Sequence, residues 1–206
     1  GRVYDRFKGR VMFPVFSISG KVIAFGGRTL KKDVAKYVNS PESLIYKKSY
    51  QLYGLYQAKQ AIVKHDKCIL VEGYMDVISM HQSGIENVVA SSGTSLTDGQ
   101  IRLIHRFTDN VTVIYDGDAA GIKASLRGID MLLAEGLDIK VLLLPDGDDP
   151  DSFAQKHTSS ELEEYIAANE TDFLQFKTSI LLNGVKNDPI AKSRVINDIV
   201  RSIAVI

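Results

Sequence analysis

The sequence predicts an α/β fold: a parallel sheet covered by helices on both faces, preceded by a β-rich basic segment and followed by a helical one. Three observations carry this. From Lys67 onward, short apolar runs alternate with stretches of helical periodicity, the pattern of strands joined by crossover helices. Residues 9–28 show β-rich runs around a Ser-Gly turn, which reads as a hairpin. Beyond Pro150 only helical spacings recur. At 206 residues and 45% hydrophobic composition, the chain has enough apolar side chain to bury a core.

In chain order, Val11–Phe16 and Lys21–Phe25 are the two hairpin strands, with Gly26-Gly27 expected to break the second. Lys31–Lys48 is basic, lacks periodicity and carries the punctuation Asn39-Ser40-Pro41, so it is expected to be an ordered loop. A helix follows at 53–64, where Leu55, Ala58 and Ile62 share a face. Strands are predicted at Cys68–Val71, Asn87–Ala90, Val111–Tyr115 and Ile139–Leu144, with helices near 74–83, 97–107 and 119–135 between them. The second of these helices opens with Thr97-x-x-Gln100, a capping-box spacing. The third carries Ile122, Leu126, Ile129 and Leu133 on one stripe. Later, Ser160-x-x-Glu163 predicts another cap, and Ile196, Ile199, Val200 and Ile203 the apolar stripe of a terminal helix. The organisation expected is a basic N-terminal subdomain at 1–64, a central domain at 65–158 and a helical C-terminal subdomain at 159–206. No initiator methionine precedes Gly1, and the chain stops inside an apolar-periodic stretch; this predicts a piece of a longer protein.

Charge divides the chain in two. Lys plus Arg and Asp plus Glu both number 25. Residues 1–64 nevertheless hold 13 basic against 3 acidic side chains, leaving 12 against 22 for the rest. An anion-attracting surface joined to a carboxylate-rich one suits an enzyme that handles phosphates with metal ions. The single cysteine, Cys68, allows no internal disulfide and no cysteine-based zinc site, which suits a reducing cytoplasm; opening a strand, it reads as inert core. No apolar run approaches the roughly 18 residues of a membrane span, so no membrane partner is expected. The four histidines stand at no metal-ligand spacing.

Ligands of parallel α/β sheets sit beyond the carboxyl ends of the strands, and three predicted strands end in acids. ILVEGYMD sets Glu72 after one strand and Asp76 a turn into the next helix. TVIYDGDAAG sets Asp116 and Asp118 after another, and VLLLPDGDDPD sets Asp146, Asp148, Asp149 and Asp151 after a third. Crowded carboxylates repel unless cations bridge them. Oxygen-only donors favour a hard ion, of which Mg²⁺ is the usual choice where phosphate completes the coordination. The alternative for any single acid is a solvated loop position. Tyr37, Tyr46, Tyr50, Tyr53 and Tyr56 interleave with the basic stretch, either as core packing or as stacking platforms for bases. The SSGTS run at 91–95 is either a phosphate cradle or a plain strand-to-helix turn.

VEGYMDV (71–77), DGDAAG (116–121) and DPD (149–151) together resemble the TOPRIM fold shared by bacterial primases, topoisomerases and some nucleases. EGYMDV in particular resembles the bacterial DnaG-type DNA primase. RVMFPV (10–15), GKVIAFGGR (20–28), KYVNSPES (36–43), QLYGL (51–55), ASSGTSLT (90–97) and LPDGDDPDSF (144–153) extend the resemblance over nearly the whole chain.

The resemblance implies a TOPRIM-type parallel sheet. Glu72, Asp116 and Asp118 would be the principal metal ligands, Asp76, Asp149 and Asp151 the remaining acids of the catalytic cluster, and Asp146 and Asp148 outer charges. It implies nucleotidyl transfer that joins ribonucleoside triphosphates into a short RNA primer on a single-stranded DNA template, with Mg²⁺, for which Mn²⁺ can substitute. Lys36 and Lys48 would bind nucleic acid or nucleotide, with Arg10, Arg28 and Lys47 as neighbours. It further implies a zinc-binding domain before this segment, a replicative helicase contacted through a C-terminal domain beyond it, and a place in the cytoplasmic bacterial replisome. The alternatives are a TOPRIM topoisomerase or nuclease, and a non-catalytic nucleic-acid-binding or receiver-like α/β domain.

Overall fold

The computed structural model describes residues 4–31, 35–93, 96–115, 129–183 and 188–204, with side chains at all of these except 146 and 183. It begins with an antiparallel sheet of β1 (Arg10–Phe16), β2 (Val22–Thr29) and β3 (Tyr37–Asn39), in that spatial order. The hairpin was predicted; its details differ. β2 runs straight through Gly26-Gly27, pairing Gly26 with both Phe13 and Asn39. The glycines admit neighbouring rings rather than end the strand: a Cβ on Gly26 would stand 2.6 Å from the Tyr74 ring, and one on Gly27 2.7 Å from Phe7. The expected loop at 31–48 contains β3, whose three residues are too few to show a period.

Helix α1 (Leu55–His65) follows Gly54, which takes the left-handed φ of +82° that a side chain disfavours. Its predicted stripe, Leu55, Ala58 and Ile62, is buried.

The second sheet comprises β4 (Cys68–Val71), β5 (Val88–Ala90), β6 (Asn110–Tyr115), β7 (Asp138–Leu143) and β8 (Thr171–Asp172), in the order β5-β4-β6-β7-β8. The first four are parallel. Their linking helices are α2 (Tyr74–Gln82), α3 (Asp98–His105) and α4, described over 129–134. Of the stripe predicted for α4, Ile129 and Leu133 are buried; Ile122 and Leu126 lie outside the described residues. Then come α5 (Pro150–Lys156), α6 (Ser159–Asn169), α7 (Phe173–Asn183) and α8 (Pro189–Ile203). One face of the sheet packs on α1, α3, α4 and α7 through Ile62, Ile101, Leu132 and Phe173; the other packs on α2, α5 and α6 through Met80, Phe153 and Leu162. Both faces are therefore covered, as the continuous apolar runs of the strands require.

Three expectations for the C-terminal segment are corrected. Its residues Thr171–Asp172 add β8 antiparallel to β7, held there by the buried Glu170 carboxylate, which accepts from Lys67, Lys140 and Thr112 at 2.5, 2.9 and 2.8 Å. The cap of α6 is Thr158 with Glu161, not Ser160 with Glu163: Thr158 accepts from the Glu161 N–H while its own N–H donates to that carboxylate at 2.7 Å. In α8 the buried residues are Val195 and Ser202, and Ile196, Val200 and Ile203 are more than half exposed. The helix is oriented by a polar clamp that periodicity does not reveal. Lys177 of α7, 8% exposed at its side chain, donates to Asp130 of α4 at 2.9 Å and to Ser202 at 2.6 Å.

Candidate functional site

The sheet order creates a crevice before any side chain is considered. The chain leaves β4 toward β5 on one side, then returns through α3 to β6 on the other. Ligands of such sheets bind at the carboxyl ends where strand order reverses. Glu72 sits there, exposed, immediately after β4, and its carbonyl is held by the Ser92 N–H at 3.0 Å. β6 ends beside it at Tyr115, since the register pairs Leu70 with Val113. Asp116 and Asp118, which follow, lie outside the described residues.

The remaining acids have definite partners. Asp76 accepts from the Gly73 N–H at 2.8 Å and so caps α2. A turn further along α2, Ser79 donates to Asp151 at 2.5 Å, and Gln155 donates to the same carboxylate oxygen at 2.7 Å. Asp151 of α5 is therefore fastened to α2, the helix that Asp76 caps. Asp149 caps α5 through the Ser152 N–H at 2.7 Å. Asp148 is paired with Lys156 at 2.6 Å, and that bond, with one from Ser152, holds its carboxyl below the usual range. Asp148 is thus tied to the last residue of α5. Among the described residues, no three His, Cys, Asp or Glu side chains come together as a metal-binding group.

Arg28 brings the basic sheet to this edge. Its guanidinium lies 5.8 Å from the centre of the Tyr37 ring. Burial pushes the Tyr37 hydroxyl up; Arg28 opposes the shift, and the carboxylates of Asp76 and Asp151 reinforce it. A cation of β2 and two acids, one on α2 and one on α5, thus act on one phenol. Lys36 and Lys47 are exposed, and Lys48 is half-buried. Arg10 has an internal task, since its Nη1 donates to the carbonyls of Gly27, Ala35 and Lys36 at 3.1, 2.9 and 3.3 Å. It thereby fastens the backbone that carries Lys36.

Sequence reasoning passed over the residues that hold these parts together. Tyr74, two positions after Glu72, stacks on Phe13 at 5.2 Å, meets Tyr53 edge-on at 4.6 Å, and donates its hydroxyl to Asn39 at 2.7 Å. Asn39 reaches on to the Ser92 carbonyl at 3.5 Å, and the Ser92 N–H returns to Glu72. The loop bearing Glu72 is therefore tied to β3. Gln100, fully buried on α3, donates to the carbonyls of Lys48 and Gln51 at 3.2 and 2.8 Å, while Thr97 donates to Ser49 at 2.6 Å. These bonds pin the segment of Lys48. The Thr97-Gln100 spacing was visible, but a capping signal does not say what else the amide reaches.

The open alternatives also resolve. Tyr46 is buried, Tyr53 packs on Tyr74, and Tyr56 lies over Gly20 and beneath Lys59; Tyr50 alone of the five is mostly exposed, at 58%. At 91–95 the Ser92 N–H is taken by Glu72, which favours a turn over a phosphate cradle there; residues 94 and 95 lie outside the described residues. Cys68 is buried, and burial pushes its thiol up, as an inert core position requires. Among the described residues no helix is long and apolar enough to cross a membrane.

Comparison with known proteins places this arrangement. Residues 1–59 match the family model described as the DNA primase catalytic core, N-terminal domain, and residues 69–154 match a Toprim-like one. A solved DnaG primase catalytic domain bound to single-stranded DNA is 40% identical, with a TM-score of 0.88 over 100% of this chain and 67% of its own. The chain belongs to the DnaG primase family. The catalytic core of the E. coli primase is 39% identical, with a TM-score of 0.86 over 100% of this chain and 67% of its own. A DNA primase of Halalkalibacterium halodurans is 46% identical over 86% of this chain, which spans only 30% of that relative's length. The antiparallel sheet followed by a mostly parallel one is thus the primase core arrangement, with its TOPRIM part in the second sheet.

Proposed function

We propose that this chain is the central part of a DNA primase that joins ribonucleoside triphosphates into a short RNA primer on single-stranded DNA by metal-dependent nucleotidyl transfer. The observation that carries the reading is the tie between the basic sheet and the loop of Glu72, made from Tyr74 through Asn39 to Ser92 at the crevice where strand order reverses, with Arg28 over the Tyr37 ring of the same β3. A cation-bearing sheet and a carboxylate edge brought together suit a polyanionic template and a triphosphate handled in one cleft.

The donor set is oxygen only and fits a hard cation. Glu72, with Asp116 and Asp118, would hold Mg²⁺ or Mn²⁺; Asp76, Asp149 and Asp151 would supply the surrounding negative charge. Such ions stabilise both the attacking and the leaving oxygen of an in-line displacement. Glu72 is positioned for this by the Ser92 bond to its backbone. Lys36, Lys47 and Lys48 hold template phosphates without reading sequence, as a sliding template demands, while Arg28 faces the nucleotide. The partners of the whole protein are single-stranded DNA, ribonucleoside triphosphates, the RNA primer and, through a further domain, the replicative helicase, in the bacterial cytoplasm.

The test is Glu72→Gln in the full-length protein. Primer synthesis is lost while template affinity is nearly unchanged, because the carboxylate serves the transition state rather than ground-state binding. Lost DNA binding with normal turnover at saturation would overturn the assignment.

A further inference from the structure

Residues 42–48 form a turn that the fold closes tightly. The Glu42 carboxylate accepts from the Lys48 N–H at 2.8 Å. Inside it, the Ser43 N–H donates to the Tyr46 carbonyl at 2.9 Å, and the Tyr46 N–H returns to the Ser43 hydroxyl at 3.1 Å. Tyr46 is driven into the core beside Phe13, Val15, Ala24 and Tyr74. The two residues at the tip point the other way: Leu44 is fully exposed and Ile45 is 67% exposed.

The centre of a tight turn usually takes Gly, Asn, Asp or Pro, each for a backbone reason. A Leu-Ile pair there breaks the local rule, and such breaks mark positions kept for something other than folding. Because the turn is hydrogen-bonded across its base and anchored by Tyr46, the exposure is imposed by the fold rather than by fraying.

What stands beside the tip identifies the ligand. Lys47 is exposed, Lys48 follows within the same turn, and Gln100 pins the carbonyl of Lys48 to α3. The first 64 residues carry a net charge of +10. A rigid aliphatic tip followed by cations on a pinned backbone is complementary to a ligand that is anionic along one edge and apolar along the other. Unpaired bases on a phosphate backbone have that character, and aliphatic side chains are known to wedge against bases. An apolar peptide would have no use for the cations. We infer that Leu44 and Ile45 contact unstacked bases of the single-stranded template whose phosphates run along Lys36, Lys47 and Lys48. This rests on the primase reading above.

The experiment measures binding of labelled single-stranded DNA to the full-length protein across a salt series. Three proteins are compared: the parent, Leu44→Ser with Ile45→Ser, and Lys48→Ala. Each is tested on an ordinary oligonucleotide and on one carrying abasic sites. The double variant is expected to bind about 5- to 10-fold more weakly with an unchanged salt slope, since apolar contacts release no counterions; Lys48→Ala flattens the slope by about 0.7. The parent should lose a similar factor on the abasic strand, and the double variant nothing further. Both residues are exposed, so the melting temperature should not change. Parent-like affinity in the double variant, or an equal further loss on the abasic strand, overturns the inference and assigns the tip to a protein contact. If Lys48→Ala weakens binding while the double variant does not, the tip alone is misread. If the parent does not bind single-stranded DNA, the primase reading falls with it.

Discussion

Removing one oxygen from Tyr74 should loosen the union of the two sheets without unpacking it. In Tyr74→Phe the ring keeps its stack on Phe13 and its edge contact with Tyr53. The 2.7 Å bond to the Asn39 side-chain oxygen is lost. That acceptor is partly buried, and stranding such a group costs about 1–3 kcal/mol. Taking about 1.5 kcal/mol, a chain of this size should melt about 3–6 °C lower. The assay is thermal unfolding of Tyr74→Phe, Asn39→Ala and the double variant. Because both single substitutions break the same bond, the double variant should be more stable than additivity predicts by about 1 kcal/mol. Additive effects within about 0.3 kcal/mol would refute the bond as a shared link, and the union of the sheets would then rest on ring packing alone.

Other outcomes follow from the same contacts. Burial alone would raise the Glu170 pKa, but bonds from Lys67, Lys140 and Thr112 outweigh it and hold the group below its ordinary 4.5. Its stabilisation is therefore present above that value and lost as pH falls through the lower folded one. Glu170→Gln should lower the melting temperature at pH 7 and have progressively less effect below about pH 4, as thermal unfolding across pH would show. Divalent metal should raise the melting temperature by binding only the folded state, and Asp116→Asn with Asp118→Asn should abolish that rise; a full shift in the double variant would place the ligands elsewhere. Lys36→Ala should weaken single-stranded DNA binding and flatten its salt dependence, while Lys31→Ala, from the same charge run, should do neither.

Much of the fold was legible because it rests on periodicity. The strand at Cys68–Val71, the buried face of α1 and the Thr97-Gln100 cap are all local patterns that their surroundings reinforce. The misses share a cause, which is that a distant partner decides them. Gly26 and Gly27 read as a break until the Tyr74 and Phe7 rings fill the space above them. β8 has only two residues, and a buried carboxylate sets its place. The apolar stripe of α8 faces outward because Lys177, Asp130 and Ser202 orient the helix. At the site, the acidic motifs were visible as chemistry, and the structure shows Asp76 capping α2 and Asp151 bonded to the same helix through Ser79. The bonds that hold Glu72 to β3 were not visible, because Tyr74, Asn39 and Ser92 are far apart in sequence and ordinary in composition.

That join has its own logic. Residues 1–64 and 65–206 carry opposite net charges of equal size, so ion pairs would be the obvious way to fasten them. The contacts that fasten β1 and β3 to the loop of Glu72 include uncharged groups: Phe13, Tyr37, Tyr53 and Tyr74 against one another, and Asn39 between Tyr74 and Ser92. Ion pairs in their place would draw on the charges that the proposed function assigns to phosphate and metal, and partly buried pairs would gain little after desolvation. Aromatic packing and amide bonds leave both sets of charge intact. Arg28 follows the same rule, lying over the Tyr37 ring with Asp76 and Asp151 near that phenol. A neutral ring thus feels charges of both signs. The division of charge along the sequence and these uncharged links thus suit the proposed function together: such links hold β3 against the loop of Glu72 without drawing on the charges of either part.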